Sequence, residues 1–365
     1  MKSFWNEHVL NLDPYKVSSH SAWDHFMDPD ILKLDWNEAT ANPPKPVIDD
    51  MKSYLNYGRL NWYPDINNVV LREEIAKYSD IGSTNIDYFS GSDAVHEYVL
   101  RGLLSPGKKV AVISPTYDNF RVVAASCGAE VVHFNLLARD NFNLSPSHLS
   151  DFLLHESPDL VYICNPNNPT GTIIEIDDVE QLLINHPNSI FIIDEAYYEF
   201  FGVSSASLTD SYKNILITRT FSKAFGLAAL RMGYVISHEE NIKILSKIRN
   251  PKNIVGISQV AALSALKNIN LINSEISEIK ASKKYFLDEL NKIQQIKLFN
   301  NYGGNYCLMD VGLIKNKLLD FLENNKIYIR NLSHKELKNC VRITIGSTEQ
   351  MKRVVVVLRK FYSSL

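Results

Sequence analysis

Lys223 has the surroundings of a reactive amine. Residues 218–234 read T-R-T-F-S-K-A-F-G-L-A-A-L-R-M-G-Y, with Thr220 and Ser222 just before the lysine and Arg231 eight residues after it (231 − 223 = 8). Apolar Ile215, Leu216 and Ile217 lead in as a strand, and residues 232–236 lead out as another. That puts Lys223 at the carboxyl end of a strand, where open α/β sheets place ligands. Phe221, Phe225 and Leu227 desolvate the amine and lower its proton affinity, and a neutral amine can attack a carbonyl. Taken alone, the stretch reads equally as a surface lysine between two core strands. The rest of the chain decides.

Four further groups fall at predicted strand ends. Gly91-Ser92-Asp93 opens a helix, where free N–H groups and the helix dipole favour an anion; by itself it also reads as a simple N-cap. Tyr117 follows a strand and offers a ring face for stacking, or for ordinary packing. Residues 165–171, N-P-N-N-P-T-G, form a loop with two prolines and a glycine that can fix the Asn168 amide, more constraint than a plain turn needs. Asp194 ends the apolar run 190–193, with Tyr197 beyond it; a carboxylate there needs a cationic partner, either a structural arginine or lysine or a protonated ring nitrogen. Thr220, Ser222 and Arg231 suit a phosphate dianion, which a guanidinium grips bidentately. A phosphate cradle, a stacking ring, a ring-nitrogen carboxylate and a desolvated lysine together describe pyridoxal 5′-phosphate.

The elements that must hold these residues alternate. From residue 85, strands and helices follow each other: strands at 88–90, 109–114, 131–135, 160–164 and 190–193, helices at 94–104, 118–127 and 177–185, with Gly128 as a left-handed cap. Such alternation predicts a mostly parallel sheet covered on both faces. Upstream, residues 34–38 are extended, and residues 46–54 and 68–78 are helical. After about residue 250 the rhythm changes to helices at 257–267 and 276–293, strands at 306–311 and 342–345, and a closing helix opened by the capping box Ser347-Thr348-Glu349-Gln350. The expected organisation is a three-layer αβα large domain over residues 34–255, a smaller α+β domain over 256–365, and an aromatic-rich arm, 1–33, packing against the small domain.

Composition limits the alternatives. In 365 residues, 45% are apolar and 22% charged, enough for a large core. The net charge of −3 and the lack of a basic run give nucleic acid or an acidic membrane no hold. Cys127, Cys164, Cys307 and Cys340 form no C-x-x-C pair, so no metal site is expected, and scattered cysteines suit a reducing cytosol. Glu7, Asn11 and Asp13 interrupt any apolar leader, and the aliphatic run 354–358 is too short to span a bilayer. A cytoplasmic location follows.

Six motifs in order resemble the fold-type I, class I/II aminotransferases, and within them the histidinol-phosphate aminotransferase group. They are Tyr63-Pro64-Asp65, Pro115-Thr116-Tyr117, residues 165–171, Asp194-Glu195-Ala196-Tyr197, residues 218–234 and residues 341–346 (V-R-I-T-I-G). The resemblance implies a pyridoxal-phosphate enzyme that works as a homodimer with active sites at the interface. On it, Lys223 resembles the Schiff-base lysine and Asp194 the partner of the ring nitrogen. Asn168 and Tyr197 resemble the groups that bond the ring's 3′ oxygen, and Tyr117 the stacking ring. Gly91, Ser92, Asp93, Thr220, Ser222 and Arg231 resemble the phosphate cradle, and Tyr63 the tyrosine that reaches the neighbouring subunit's cofactor. Asn37 and Arg342 resemble substrate-binding groups, with Tyr15 and Arg330 in similar settings.

The chain departs from the group at Ala94, where an acidic residue is usual, at Asn42-Pro43-Pro44-Lys45, and at Gly303-Gly304, where relatives carry bulkier residues. These departures border the substrate. The implied reaction is amino transfer between glutamate or 2-oxoglutarate and a small phosphorylated ketone or aldehyde, of the histidinol-phosphate type or a triose phosphate such as dihydroxyacetone phosphate. The alternatives are decarboxylation of an O-phospho amino acid and a relative that binds the cofactor without catalysis.

Overall fold

A computed structural model of the chain describes residues 4–13, 21–299 and 303–365. Its strands are β1 (Leu32–Leu34), β2 (Ile86–Phe89), β3 (Lys109–Ser114), β4 (Glu130–Asn135), β5 (Leu160–Cys164), β6 (Ile190–Asp194), β7 (Ile215–Thr220), β8 (Gly233–Ser237), β9 (Lys297–Leu298), β10 (Tyr306–Asp310), β11 (Ile327–Asn331) and β12 (Cys340–Thr344). Seven of them make one sheet in the order β2-β8-β7-β6-β5-β3-β4. The run β7-β6-β5-β3-β4 is parallel, and β8 is antiparallel to both β7 and β2. β5, β6 and β7 are almost wholly buried, as central strands covered by helices on both faces must be.

This topology gathers the site. The parallel strands β5, β6 and β7 all end at the same edge, with Cys164 paired to Asp194 and Asp194 to Thr218. Because β8 runs the other way, it starts at that edge, with Gly233 opposite Thr220, so Arg231 arrives there just before β8. β2 ends there too, Phe89 opposite Gly233, and feeds the helix Gly91–Leu103.

The remaining five strands form a second sheet, β1-β11-β12-β10-β9, over its own core of Phe286, Leu318, Ile343, Val354 and their neighbours. The helix Ile269–Leu290 ties the two cores: Ile272 and Ile276 lie in the first, Phe286 and Leu290 in the second. The sequence predicts two strands in the carboxyl-terminal part, whereas four form there. β9 has only two residues and β11 carries only three apolar ones, so pairing with neighbours decides both. The long helix starts at Ile269, seven residues before its predicted start, because no breaker follows the cap at Asn268. Helices Pro146–Glu156, Glu239–Ile248 and Lys315–Asn324, all with large polar faces, were beyond the sequence pattern. The Ser347 capping box forms as predicted.

The arm divides between the two bodies. β1 pairs in parallel with β11, and Asp28 pairs with Lys326 at 2.7 Å, both on the small sheet. Asn6 instead reaches the carbonyl of Ser126 on the large body. No helix among the described residues is long and apolar enough to cross a membrane. Nor do the described residues include a His, Cys, Asp and Glu group able to hold a metal.

Candidate active site

Lys223 lies in the loop after β7, half-buried, and its Nζ donates to the Trp36 carbonyl at 2.8 Å. That carbonyl belongs to the segment leaving β1. The segment turns at Asn37, which takes a left-handed conformation (φ 58°) that asparagine tolerates. Burial, followed by repulsion from Arg342, pulls the lysine down to about 8. The amine therefore exchanges its proton near neutral pH.

Asp194 is buried at the end of β6. Its Oδ2 accepts from the Tyr162 hydroxyl at 2.7 Å, and its Oδ1 accepts from the Ala196 N–H at 3.1 Å. Tyr197 is buried close by, its ring centre 5.9 Å from Lys223 Nζ, and its hydroxyl accepts from Asn37 Nδ2 at 3.0 Å. Burial pushes the Tyr197 phenol well up, so it stays protonated. The Asn37 backbone N–H and side chain both bond the Thr344 hydroxyl, at 3.0 and 3.3 Å, and the Asn305 amide donates to the Asn37 carbonyl at 3.1 Å. The small sheet thus fixes the wall of the large body's site.

A phosphate-sized cradle opens beside Lys223. Thr220 Oγ1 donates to Ser222 Oγ at 3.0 Å, and Arg231 Nη1 donates to Ser222 Oγ at 3.3 Å. Arg231 Nη2 meets Asp93 Oδ2 at 3.3 Å, so Asp93 aims the guanidinium. Gly91 sits at φ 84°, and a Cβ there would come 2.7 Å from Arg231 Nη2. Gly233 packs so closely that a Cβ on it would lie 2.6 Å from Ser92 N. Two glycines, a guanidinium, two hydroxyls and the first turn of the helix Gly91–Leu103 thus converge without side-chain bulk, and they fit a phosphate.

Arg342 is buried on β12, directly opposite Arg330 of β11. Its Nη1 donates to Asn168 Oδ1 at 2.5 Å and its Nη2 to the Asp35 carbonyl. Burial, reinforced by Arg330, lowers its proton affinity, a cost that an anion between the two guanidiniums would relieve. Tyr117 lies half-buried three residues past β3.

The predicted residues therefore fall into three sets. Lys223, Tyr197, Asn168, Asn37 and Arg342 come together through the bonds and contacts above, and strand register brings Asp194 and the cradle to the same sheet edge. Tyr63 is 75% exposed, its ring 4.0 Å from Lys252 Nζ, and no described contact links it to Lys223. Tyr15 lies outside the described residues. Neither glycine departure leaves open space. A Cβ on Gly303 would come 2.1 Å from Pro166, and one on Gly304 (φ 76°) 2.3 Å from the Tyr306 ring. The loop is drawn inward, and Pro166 and Tyr306 fill the space.

Sequence reasoning did not reach Trp36, His96, Tyr162, Thr218, Asn305, Tyr306 or Thr344. Two signals were available: Tyr162 shares a strand face with Cys164, at a spacing of two, and His96 lies four residues from Ser92 on one helix face.

The family profile of the aminotransferases of class I and II matches residues 29–358. A dihydroxyacetone phosphate transaminase of Campylobacter jejuni is 42% identical over 359 residues, covering 98% of this chain and 96% of that protein. A histidinol-phosphate aminotransferase of a Thermoanaerobacter species is 32% identical over 345 residues, covering 93% and 96%. Among solved structures, histidinol-phosphate aminotransferase from Sinorhizobium meliloti in complex with pyridoxal 5′-phosphate superposes with a TM-score of 0.89 at 22% identity, over 100% of this chain and 99% of that one. The enzyme of the same name from Clostridium acetobutylicum gives 0.82 at 27%, over 92% and 100%. The chain belongs to the class I and II aminotransferases, and it is an aminotransferase that depends on pyridoxal phosphate.

Proposed function

We propose that the protein moves an amino group between glutamate and a small phosphorylated ketone, with dihydroxyacetone phosphate ahead of the histidinol-phosphate type of substrate. The observation that carries this is the 42% identity to the dihydroxyacetone phosphate transaminase along nearly the whole chain, against 32% to the histidinol-phosphate enzyme. The inward loop at Gly303-Gly304, packed on Pro166 and Tyr306, supports a small acceptor. Paired Arg330 and Arg342 suit both a carboxylate and a phosphate ester, so one site can serve both half-reactions.

Pyridoxal phosphate, when bound, supplies an aldehyde that condenses with amines and a ring that takes up the electron pair left at the substrate's α carbon. In this reading Arg231, Ser222, Thr220, Ser92 and the backbone at Gly91 hold its phosphate, with Asp93 aiming Arg231. Asp194 faces its ring nitrogen, Tyr117 stacks on its ring, and Asn168 and Tyr197 bond its 3′ oxygen. Lys223 Nζ carries a proton to and from the reacting carbons, a task suited to an amine titrating near 8. Arg342 orients the donor's carboxylate, which displaces Asn168 as its partner. Asn37 closes the wall over the reacting atoms and excludes water.

The domain reading of a cofactor-binding body at 34–255 and a smaller body at 256–365 has the support of two hydrophobic cores, but β1 joins the small sheet and the helix Gly256–Lys267 packs in the large core through Ala261, Ala262, Ala265 and Leu266. We also infer a cytoplasmic biosynthetic enzyme acting as a homodimer, with Tyr63 reaching the partner's site.

The test is a two-stage assay on the holoenzyme. Glutamate should change the bound cofactor's absorption and release 2-oxoglutarate. Dihydroxyacetone phosphate should then restore the first spectrum faster than the ketone of histidinol phosphate does, and Lys223→Ala should abolish both stages. Carbon dioxide release from an O-phospho amino acid, with no response to glutamate, would establish decarboxylation instead.

A further inference from the structure

Behind Asp194 lies a buried cluster of three aromatic rings, which the reaction as described does not use. Phe120 stacks on Tyr162 with ring centres 3.9 Å apart. The His96 ring stands edge-on to both, at 5.4 and 5.5 Å. His96 is 2% exposed. Its Nε2 lies 3.1 Å from Thr218 Oγ1 and 3.8 Å from Asp194 Oδ2, the same oxygen that takes the Tyr162 hydrogen bond. Its Nδ1 is buried with no hydrogen-bond partner.

The tautomer follows from this geometry. With the proton on Nδ1, Nε2 would accept from the Thr218 hydroxyl but turn its lone pair toward a carboxylate oxygen 3.8 Å away, a repulsive arrangement. With the proton on Nε2, the N–H donates to Thr218 Oγ1, its positive end lies beside Asp194, and the bare nitrogen left over is Nδ1. An unpartnered buried polar atom costs stability that an apolar side chain of similar size would not. A fold that keeps the imidazole here uses it for something besides packing.

We propose that His96 is a positioning residue for the Asp194 carboxylate: the Nε2–H dipole, anchored on Thr218, keeps that carboxylate ionised and fixed, and through it keeps a proton on the ring nitrogen of the bound cofactor. This rests on the assignment of Asp194 to the ring nitrogen. Tyr162 donates to the same oxygen, so a hydrogen bond and the positive end of an N–H dipole both face the carboxylate's inner edge. Both stabilise negative charge there and favour the ion pair with a protonated ring over a neutral pair in which the proton has moved to the carboxyl. His96 does not touch substrate and moves no proton itself.

The test loads the protein with cofactor labelled with nitrogen-15 in the ring and reads that nitrogen's NMR shift. Wild type should show a protonated nitrogen. His96→Leu should move the shift toward the unprotonated value and weaken cofactor binding severalfold, the scale of losing an N–H dipole that faces a carboxylate. His96→Gln, which can return a donor toward Thr218 and Asp194, should restore most of both. Apo His96→Leu should melt no lower than wild-type apo protein, since the unpartnered Nδ1 is gone. Asp194→Asn is the control for the underlying assignment. A ring-nitrogen shift that moves in Asp194→Asn but stays at the wild-type value in His96→Leu would overturn the His96 proposal alone. A shift unmoved in both variants would overturn the role of Asp194, and that of His96 with it. A large loss of melting temperature in apo His96→Leu, with an unchanged shift in the holoenzyme, would reduce His96 to a packing residue.

Discussion

Lys223 carries an energetic cost that the fold accepts. Its amine titrates at about 8 instead of 10.5, first because it is buried and then because Arg342 repels it. Between those two values the unfolded chain binds more protons than the folded one, so stability rises with pH across that window. The shift sets an upper limit of about 3 kcal/mol on the effect, which a half-buried side chain will not reach in full. Lys223→Met removes the titration. Urea midpoints of the apo proteins at pH 7.5 and 9.5 should show wild type gaining stability relative to Lys223→Met over that interval. Lys283 is also drawn down to about 8 by burial, but it is present in both proteins and cancels in the difference. Equal gains in the two proteins would mean that the amine is not perturbed before cofactor binds.

Among the elements, residues 303–305, which lead into β10, show most directly how backbone shape sets the site. Gly303 donates its N–H toward the Gly171 carbonyl, and Lys283 Nζ bonds the carbonyls of Gly303 and Gly304 at 3.0 Å each. Asn305 then holds Asn37, and Tyr306 donates to the Asn167 carbonyl at 2.5 Å. Gly303→Ala would drive a methyl into Pro166, whose ring cannot retreat from the rigid 165–171 loop. The cost should be about 1–3 kcal/mol of stability, the scale of overpacking. Because the displaced segment carries Asn305, KM for the phosphorylated ketone should rise as well. Chemical denaturation and steady-state kinetics on one preparation test both.

The same elements explain what could be read from the chain. Asp194, Lys223 and the Asn168 loop were legible because each directly follows an apolar strand, and in a parallel sheet every such end lies on one edge. Arg231 was legible from its spacing to Lys223. Tyr162 and His96 were not, because they sit inside a strand and a helix. They meet Asp194 only through the register that pairs Tyr162 with Ile192 and Cys164 with Asp194, and through the packing of the helix Gly91–Leu103 on the sheet. How Gly303 packs was not legible either, because its close contact with Pro166 is non-local.

At the scale of the whole molecule, one stretch of chain leaves its apolar side chains exposed. Leu55, Tyr57, Leu60, Trp62, Tyr63 and Val69 are all more than half exposed and lie close together in sequence around the helix Lys45–Tyr57 and the turn after it. A run of exposed apolar side chains of that kind calls for a partner, and a twofold pairing of identical subunits is the commonest solution. If Tyr63 serves the partner's site, its loss must be complemented across the interface. Lys223→Ala spoils the site of its own subunit, and Tyr63→Ala spoils the site of its neighbour. In a hybrid dimer of the two, one site collects both defects and the other has neither. Unfolding the two variants together and refolding them at equal concentration gives hybrids as about half of all dimers, each with one intact site. Turnover should therefore recover to about a quarter of the wild-type value, above the sum of the separately refolded variants. A mixture no more active than that sum would place Tyr63 outside the partner's site, and sedimentation of the same samples would show whether dimers formed at all.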